Sequence, residues 1–145
     1  MLFSKACGYG LRAMLYLALQ DTKRPVQVKQ IADALHIPLP FLSNIIHTLS
    51  RHNLIQSHKG PGGGVTLAHP PAQMTLLQVV EVIDGLDIFS SCAMGIPHCS
   101  DNFPCPMHEQ WGAIRHHIYT ILTDRTLSQM ISQFKDHDWV LTREK

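Results

Sequence analysis

The sequence predicts a mainly α-helical fold with one small β-hairpin, and two observations carry this prediction. Apolar residues recur at helical spacing in most of the 145 residues, in stretches separated by short turns. One glycine-rich segment is instead flanked by two short apolar runs, which is typical of a hairpin. A chain of this length suits one compact domain, in which residues 1–70 and 71–145 form two parts rather than independent units.

The first two helices follow from capping residues and apolar spacing. Ser4 can cap a helix that runs to about Gln20, and residues 21–25 then form a turn. Residues 28–35 make a short second helix with Ile31 directed inward. The apolar face of the first helix consists of Leu11, Leu15, Ala18 and Leu19.

A third helix follows the second after a tight turn. His36-Ile37-Pro38 interrupts the second helix, and Pro40 occupies the first-turn position that proline tolerates. Two helices joined this closely, with the second amphipathic, form the helix-turn-helix pattern. The predicted buried stripe of the third helix is Leu42, Ile45, Ile46 and Leu49.

A hairpin is predicted directly after the third helix. Residues 54–57 and 65–68 have the apolar alternation of strands, and the segment 59–64 between them is Lys-Gly-Pro-Gly-Gly-Gly. A helix-turn-helix followed directly by a hairpin is the element order of a winged helix. The fold class is therefore a winged helix-turn-helix followed by a long helix in the second half of the chain.

A winged helix predicts binding to double-stranded DNA through the third helix and the wing. Asn44 could pair with adenine, and Arg51 or Lys59 could contact phosphate. The alternative is that these residues are only the solvated face of an ordinary helix and that the glycines only permit the turn. The predicted DNA-binding residues are Phe41, Ser43, Asn44, His47, Thr48, Arg51, Lys59, Gly62 and Gly63.

The distribution of charge supports this prediction. Up to His69 the chain has seven basic and two acidic residues, a formal charge of +5, and from Pro70 onward it has five basic and nine acidic residues, a charge of −4. A positive first half suits phosphate contact, whereas DNA would repel the acidic half.

The second half begins with a helix that Thr75 and Gln78 can cap and that Gly85 can close. Residues 89–107 contain one glycine and three prolines, at positions 95, 97, 104 and 106, so they form an irregular loop. A long helix and a final helix capped by Thr126 follow, and the tail after residue 135 looks frayed. The long helix has a near-heptad apolar seam formed by Trp111, Ile114, Ile118, Ile121 and Leu122. The final helix directs four apolar residues inward, namely Leu127, Met130, Ile131 and Phe134.

Three cysteines and a histidine in this loop predict a metal or iron-sulfur site. Six residues separate Cys92 from Cys99, five separate Cys99 from Cys105, and two separate Cys105 from His108. Structural zinc usually uses closely spaced ligand pairs, whereas wide gaps suit an iron-sulfur cluster that its ligands wrap. Zinc, another metal, or cysteines that act as free or inert thiols remain alternatives.

The chain is expected to be cytoplasmic, because no apolar run is long enough to cross a bilayer and no cleavable signal is apparent. We therefore expect no association with a membrane. Pro104-Cys105 resembles half of a zinc deaminase signature, but the H-x-E partner is absent, and no phosphate loop or nucleophile elbow occurs. We expect a protein that is not an enzyme.

Several motifs together resemble the IscR, NsrR and CymR family of bacterial regulators, also called Rrf-two. They are Phe3-Ser4-Lys5, the segment 10–14, the glycine-rich wing and the cysteine loop ahead of a long helix. The resemblance covers residues 1 to about 135. It implies a homodimeric winged helix whose cysteine loop holds an iron-sulfur cluster in some members and works without metal in others; we expect [2Fe–2S] in preference to [4Fe–4S].

The fourth ligand is where this chain departs from some members. His108 matches the histidine of IscR-like members, although the first gap between cysteines is one residue longer here. NsrR-like members instead take an acidic ligand from the first helix of the partner subunit, where this chain has Cys7-Gly8-Tyr9. Cys7 is therefore a rival ligand, and its alternative role is that of a small buried hydrophobe.

The function expected from these features is that of a homodimeric DNA-binding transcription regulator that senses redox, iron or nitric oxide status. Dimerisation is expected through the helix from Trp111 to Leu122. The alternative is a metal-free or zinc-containing regulator of the same fold that a partner protein, a small molecule or thiol oxidation controls.

Overall fold

The computed structural model describes residues 2–20 and 23–134. Within them the chain is mainly helical, with one two-stranded antiparallel sheet, so the predicted fold class is confirmed. Short 3₁₀ turns at 71–73 and 87–89 flank the fourth helix. The elements are α1 (Lys5–Leu19), α2 (Val28–Leu35), α3 (Leu39–Arg51), β1 (Ile55–His58), β2 (Gly64–Leu67), α4 (Leu76–Ile83), α5 (His108–Asp124) and α6 (Leu127–Phe134).

Helix α1 is the centre of the fold and contacts α2, α3, α4 and α6. The Ser4 side chain caps it by accepting a hydrogen bond from the Cys7 N–H at 3.0 Å, as predicted. Gly10 lets α1 approach its neighbours, because a Cβ there would collide with the Ile83 side chain and lie 3.4 Å from Ile45. Helix α1 therefore contacts helices of both parts of the chain.

The helix-turn-helix forms as the sequence predicts. His36 ends α2 in the left-handed conformation, with φ of 54°, and the Ile37 N–H donates to the Ala32 carbonyl at 2.9 Å. Pro40 lies in the first turn of α3. All four residues of the predicted stripe are buried: Leu42, Ile45, Ile46 and Leu49.

The wing is a hairpin in which Ile55 pairs with Leu67 and His58 with Gly64. Strand β1 begins one residue later than predicted, because the Leu54 N–H still bonds to the Leu49 carbonyl at the end of α3. Strand β2 begins one residue earlier than predicted. Val26 forms a bridge to Val65 on the other side of β2. Gly64 permits this approach, since a Cβ there would lie 2.5 Å from the Val26 carbonyl oxygen.

The second half packs onto α1 and α3. The Thr75 and Gln78 capping box is present, and α4 contacts α1, α3 and α5. Asp84 accepts hydrogen bonds from both the backbone and the side chain of Ser4. These contacts tie the end of α4 to the start of α1.

Helices α5 and α6 complete the described chain. Leu122 and Leu127 are buried, whereas Ile114 and Ile121 are 50% and 45% exposed. The predicted apolar seam of α5 is thus divided between the core and the surface. The predicted frayed tail after residue 135, and residues 21 and 22 of the predicted turn, lie outside the described residues. No helix in the described part of the chain is long and apolar enough to span a bilayer.

Candidate metal centre and nucleic-acid interface

The loop of residues 90–107 brings the three predicted cysteine ligands together. Their Sγ atoms all lie within 4.8 Å of one another, and those of Cys92 and Cys105 are 3.6 Å apart. The Nδ1 atom of His108 lies 3.2 Å from the Sγ atom of Cys99. Side chains that are up to 16 positions apart in the sequence therefore converge on one place at the start of α5.

Local turns produce this convergence. The Gly95 N–H donates to the Cys92 carbonyl at 3.0 Å, and residues 100 and 103 form an isolated antiparallel bridge. The His108 N–H donates to the Cys105 carbonyl at 3.0 Å. This last bond closes the loop onto the first residue of α5.

Asp101 orients His108, a contact that the sequence analysis did not predict. The Asp101 carboxylate lies 2.9 Å from Nε2 of His108, so the other ring nitrogen, Nδ1, is directed at the sulfur atoms. Hydrogen bonds to Asp101 and then to Cys99 raise the pKa of His108. A carboxylate on the far nitrogen is the usual second partner of a metal-bound histidine.

The sulfur atoms do not share one environment. The backbone N–H of Cys105 and then the hydrogen bond with His108 lower the pKa of Cys99 to about 7. The pKa of Cys105 is raised: the Met107 backbone N–H acts to lower it, but burial and the neighbouring thiols of Cys99 and Cys92 outweigh that effect. Cys99 is therefore the first of the two to ionise.

The beginning of the loop is fastened to α5 through the carbonyl group of Ser91. The Trp111 indole N–H donates to the Ser91 carbonyl at 3.0 Å, and the Arg115 guanidinium donates to the same oxygen. Trp111 and Arg115 line the cavity that contains Cys92, Cys99, Cys105 and His108. Neither residue had a predicted role here, and the only sequence signal is their spacing of one helical turn on α5.

Cys7 lies elsewhere. It is fully buried in the core cluster, and it does not belong to the group formed by Cys92, Cys99 and Cys105. Burial and then the nearby charge of Asp84 raise its pKa to about 12. A thiol in this setting behaves as a small hydrophobe, which was the alternative role given to Cys7.

The donor set fits a soft metal ion or an iron-sulfur cluster. Three thiols and one imidazole are the ligand types that zinc and iron-sulfur centres use. Zinc bound tetrahedrally by thiolates at about 2.3 Å places its sulfur atoms about 3.8 Å apart. The 3.6 Å separation of Cys92 and Cys105 matches two ligands on one metal ion, either zinc or one iron of a cluster.

The predicted DNA-binding residues lie on the outer face of α3 and on the wing. Phe41, Ser43, Asn44, His47 and Arg51 are exposed, and Phe41 is 64% exposed. Lys59 and Gly62 are exposed at the tip of the wing, with Gly63 half-buried beside them.

Thr48 differs from the other predicted DNA-binding residues. Its side chain is half-buried, and its hydroxyl donates to the Asn44 carbonyl at 3.0 Å. That bond occupies its only donor, so Thr48 offers a base a methyl group and acceptor lone pairs.

Known proteins resemble this chain over nearly its whole length. A protein of Aquifex aeolicus described as an HTH-type transcriptional regulator is 32% identical over 146 residues, which is 99% of this chain and all of that protein. The structure of CymR, the global cysteine regulator of B. subtilis, is 25% identical, with a TM-score of 0.78, and the match covers 90% of this chain and 96% of that one. The structure of T. potens IscR is also 25% identical, with a TM-score of 0.73, covering 90% and 85%.

The sequence model of the Rrf2 family, described as iron-dependent transcriptional regulator, matches residues 3–133. The winged helix, the cysteine loop and the long helix all lie within this match. These relatives are transcription regulators and not enzymes, as the absence of catalytic motifs predicted. The chain is a member of the Rrf2 family of DNA-binding transcription regulators.

Proposed function

We propose that this chain is a cytoplasmic, homodimeric regulator whose affinity for its DNA operator depends on an iron-sulfur cluster in the cysteine loop. One observation carries the proposal: three sulfur atoms and an imidazole nitrogen converge at the first residue of α5. The proposed ligands are Cys92, Cys99, Cys105 and His108. The proposed signals are redox, iron or nitric oxide status.

Two short separations within the ligand set support a [2Fe–2S] cluster. Cys92 and Cys105 form one pair at 3.6 Å, and Cys99 and His108 form the other at 3.2 Å. Each iron of such a cluster takes two protein ligands. A bound cluster supplies a centre that changes charge on reduction and that oxygen or nitric oxide can damage.

A zinc site is the second candidate. The three sulfur atoms lie close enough together to surround a single ion, and His108 with Asp101 supplies the oriented imidazole that zinc sites use. A third possibility is thiol oxidation without metal, since the Cys92 and Cys105 sulfur atoms are neighbours. In either case the regulator would be colourless.

Exposure of the α3 face supports DNA reading by this helix. Ser43, Asn44 and His47 lie mid-face, where a recognition helix meets base edges in the major groove. Arg51 at the end of α3 and Lys59 on the wing lie where phosphates would pass. The proposed interface also includes Phe41, Thr48, Gly62 and Gly63.

Dimerisation through α5 is supported by apolar side chains that the described chain leaves exposed. Ile114, Tyr119 and Ile121 are all at least 36% exposed on this helix. A two-fold pair of winged helices places its recognition helices about 34 Å apart, which matches one turn of the duplex. Because the cysteine loop leads directly into α5, a change in the loop can alter the spacing of the two recognition helices.

Operator titration of the protein with and without its cluster tests the proposal. Duplexes selected by the anaerobically purified protein are titrated at matched salt with that protein and with chelator-treated protein. We expect the operator affinities to differ by about 1 to 3 kcal/mol, a coupling energy usual for allosteric sites. Equal affinities and equal site preference in the two forms would contradict the proposal, and a colourless protein that binds tightly would favour the zinc site or the metal-free regulator.

Two substitutions separate base reading from phosphate contact. Asn44→Ala should cost about 1 to 3 kcal/mol on the selected operator and little on unrelated DNA, because one base contact is lost. Lys59→Ala should weaken binding to all duplexes alike and reduce the salt slope by about one. Binding measured over a series of salt concentrations distinguishes the two effects.

Arg125→Ala serves as the charge control for these variants, because this exposed residue lies between α5 and α6 and does not belong to the proposed interface. It should leave both the operator affinity and the salt slope unchanged. An Asn44→Ala loss that is the same on operator and on unrelated DNA would contradict base reading by this side chain.

Cys7 should be the slowest cysteine to react with iodoacetamide in the folded protein after a chelator has removed any bound metal. With a pKa of about 12, only about one molecule in ten thousand carries the thiolate at pH 8. The side chain is also fully buried. Peptide mass analysis after alkylation should find Cys7 unmodified.

Alkylation in guanidinium chloride provides the control, because all four cysteines should then react. Modification of Cys7 at the rate of a half-exposed loop cysteine under native conditions would contradict its burial and would restore it as a candidate ligand.

A further inference from the structure

Arg115 brings a positive charge to the cysteine site. It lies two helical turns after His108 on α5, and its side chain lines the cavity formed by Cys92, Cys99, Cys105 and His108. Its Nε atom is buried and has no hydrogen-bond partner. Among the described residues, no carboxylate lies within salt-bridge distance of its guanidinium.

The hydrogen bond to Ser91 does not account for a charged side chain here. The Trp111 indole N–H already donates to the Ser91 carbonyl at 3.0 Å, so that oxygen is satisfied without Arg115. A partly buried guanidinium with an unpaired Nε atom is costly unless an anion lies nearby. Among the described residues, the thiols that line the same cavity can supply that anion when they lose their protons.

Metal binding requires this loss of protons. Cysteine binds metals as the thiolate, so occupation of the site places three negative charges in the cavity that Arg115 lines. With three thiolates bound, an oxidised [2Fe–2S] centre has a net negative charge and gains a further one on reduction. A fixed cation beside the centre favours the reduced form.

We infer that Arg115 is the counter-charge of the centre held by the cysteine loop, and that it raises the reduction potential of that centre. This inference rests on the proposed iron-sulfur function and deepens it, because it names the residue that sets the redox threshold. Arg115 acts as a positioning and charge-compensating residue rather than as a ligand.

Redox titration of charge variants tests the inference. Wild-type protein, Arg115→Gln, Arg115→Lys and the control Arg125→Gln are purified anaerobically, and their iron and sulfide contents are measured. Each is titrated with dithionite and mediators, so that one electron passes from dithionite to the centre and no bond to the protein forms or breaks. The control removes one positive charge from the other end of α5, where the side chain is exposed.

The midpoint potential of Arg115→Gln should be about 59 mV lower than that of the wild-type protein. For a one-electron couple, this shift lowers the ratio of reduced to oxidised centre about tenfold at the wild-type midpoint potential. Arg115→Lys and Arg125→Gln should stay within about twofold of the wild-type ratio, since the first keeps the charge and the second removes a distant one. Loss of the cluster from Arg115→Gln alone, with Arg115→Lys intact at the wild-type potential, would also support the inference.

The results that would overturn the inference differ from the result that would overturn the proposed function. An unchanged potential in Arg115→Gln, an equal shift in Arg115→Lys, or loss of the cluster from both Arg115 variants would overturn the inference and leave the proposed function standing. Wild-type protein without iron and sulfide would overturn the proposed function, and the inference would fall with it.

Discussion

The structure depends on how the loop of residues 90–107 is held at the start of α5. This loop has few backbone hydrogen bonds beyond tight turns, so its conformation relies on side chains that meet in one cavity. Three sulfur atoms and His108 form one side of that cavity, and Trp111 and Arg115 fasten the loop to α5 through the Ser91 carbonyl. Under the proposed function, a change in what the sulfur atoms bind would act directly on α5.

A continuous set of packed helices connects this cavity to the recognition helix. Helix α5 packs on α4, and α4 packs on both α1 and α3. Gly10 allows α1 to lie against Ile83 and Ile45, so three helices meet with little space between them. Closely packed interfaces of this kind transmit small shifts as rigid movements rather than absorbing them. Under the proposed function, the acidic second half is the regulatory side of the fold and the basic first half faces DNA.

Local sequence signals predicted the elements of this fold but not the contacts that complete the site. The stripe of α3 and the capping box at Thr75 follow from spacing, because periodicity and capping act within a few residues. The three cysteines were predicted to share a site because they cluster in one loop, not because a period relates them. The contacts of Asp101 with His108 and of Arg115 with Ser91 cross an irregular loop, where no period relates the partners. The sequence also could not predict the exposure of Ile114, because an apolar seam has the same residue pattern whether a core or a second subunit covers it.

The proposed function requires an iron-sulfur cluster in the cysteine loop rather than zinc or free thiols. The absorption spectrum of anaerobically purified protein, together with its iron, acid-labile sulfide and zinc contents per chain, tests this requirement. We expect a visible chromophore with iron and sulfide in equal amounts and little zinc. A colourless protein that contains zinc, or no metal at all, would contradict it.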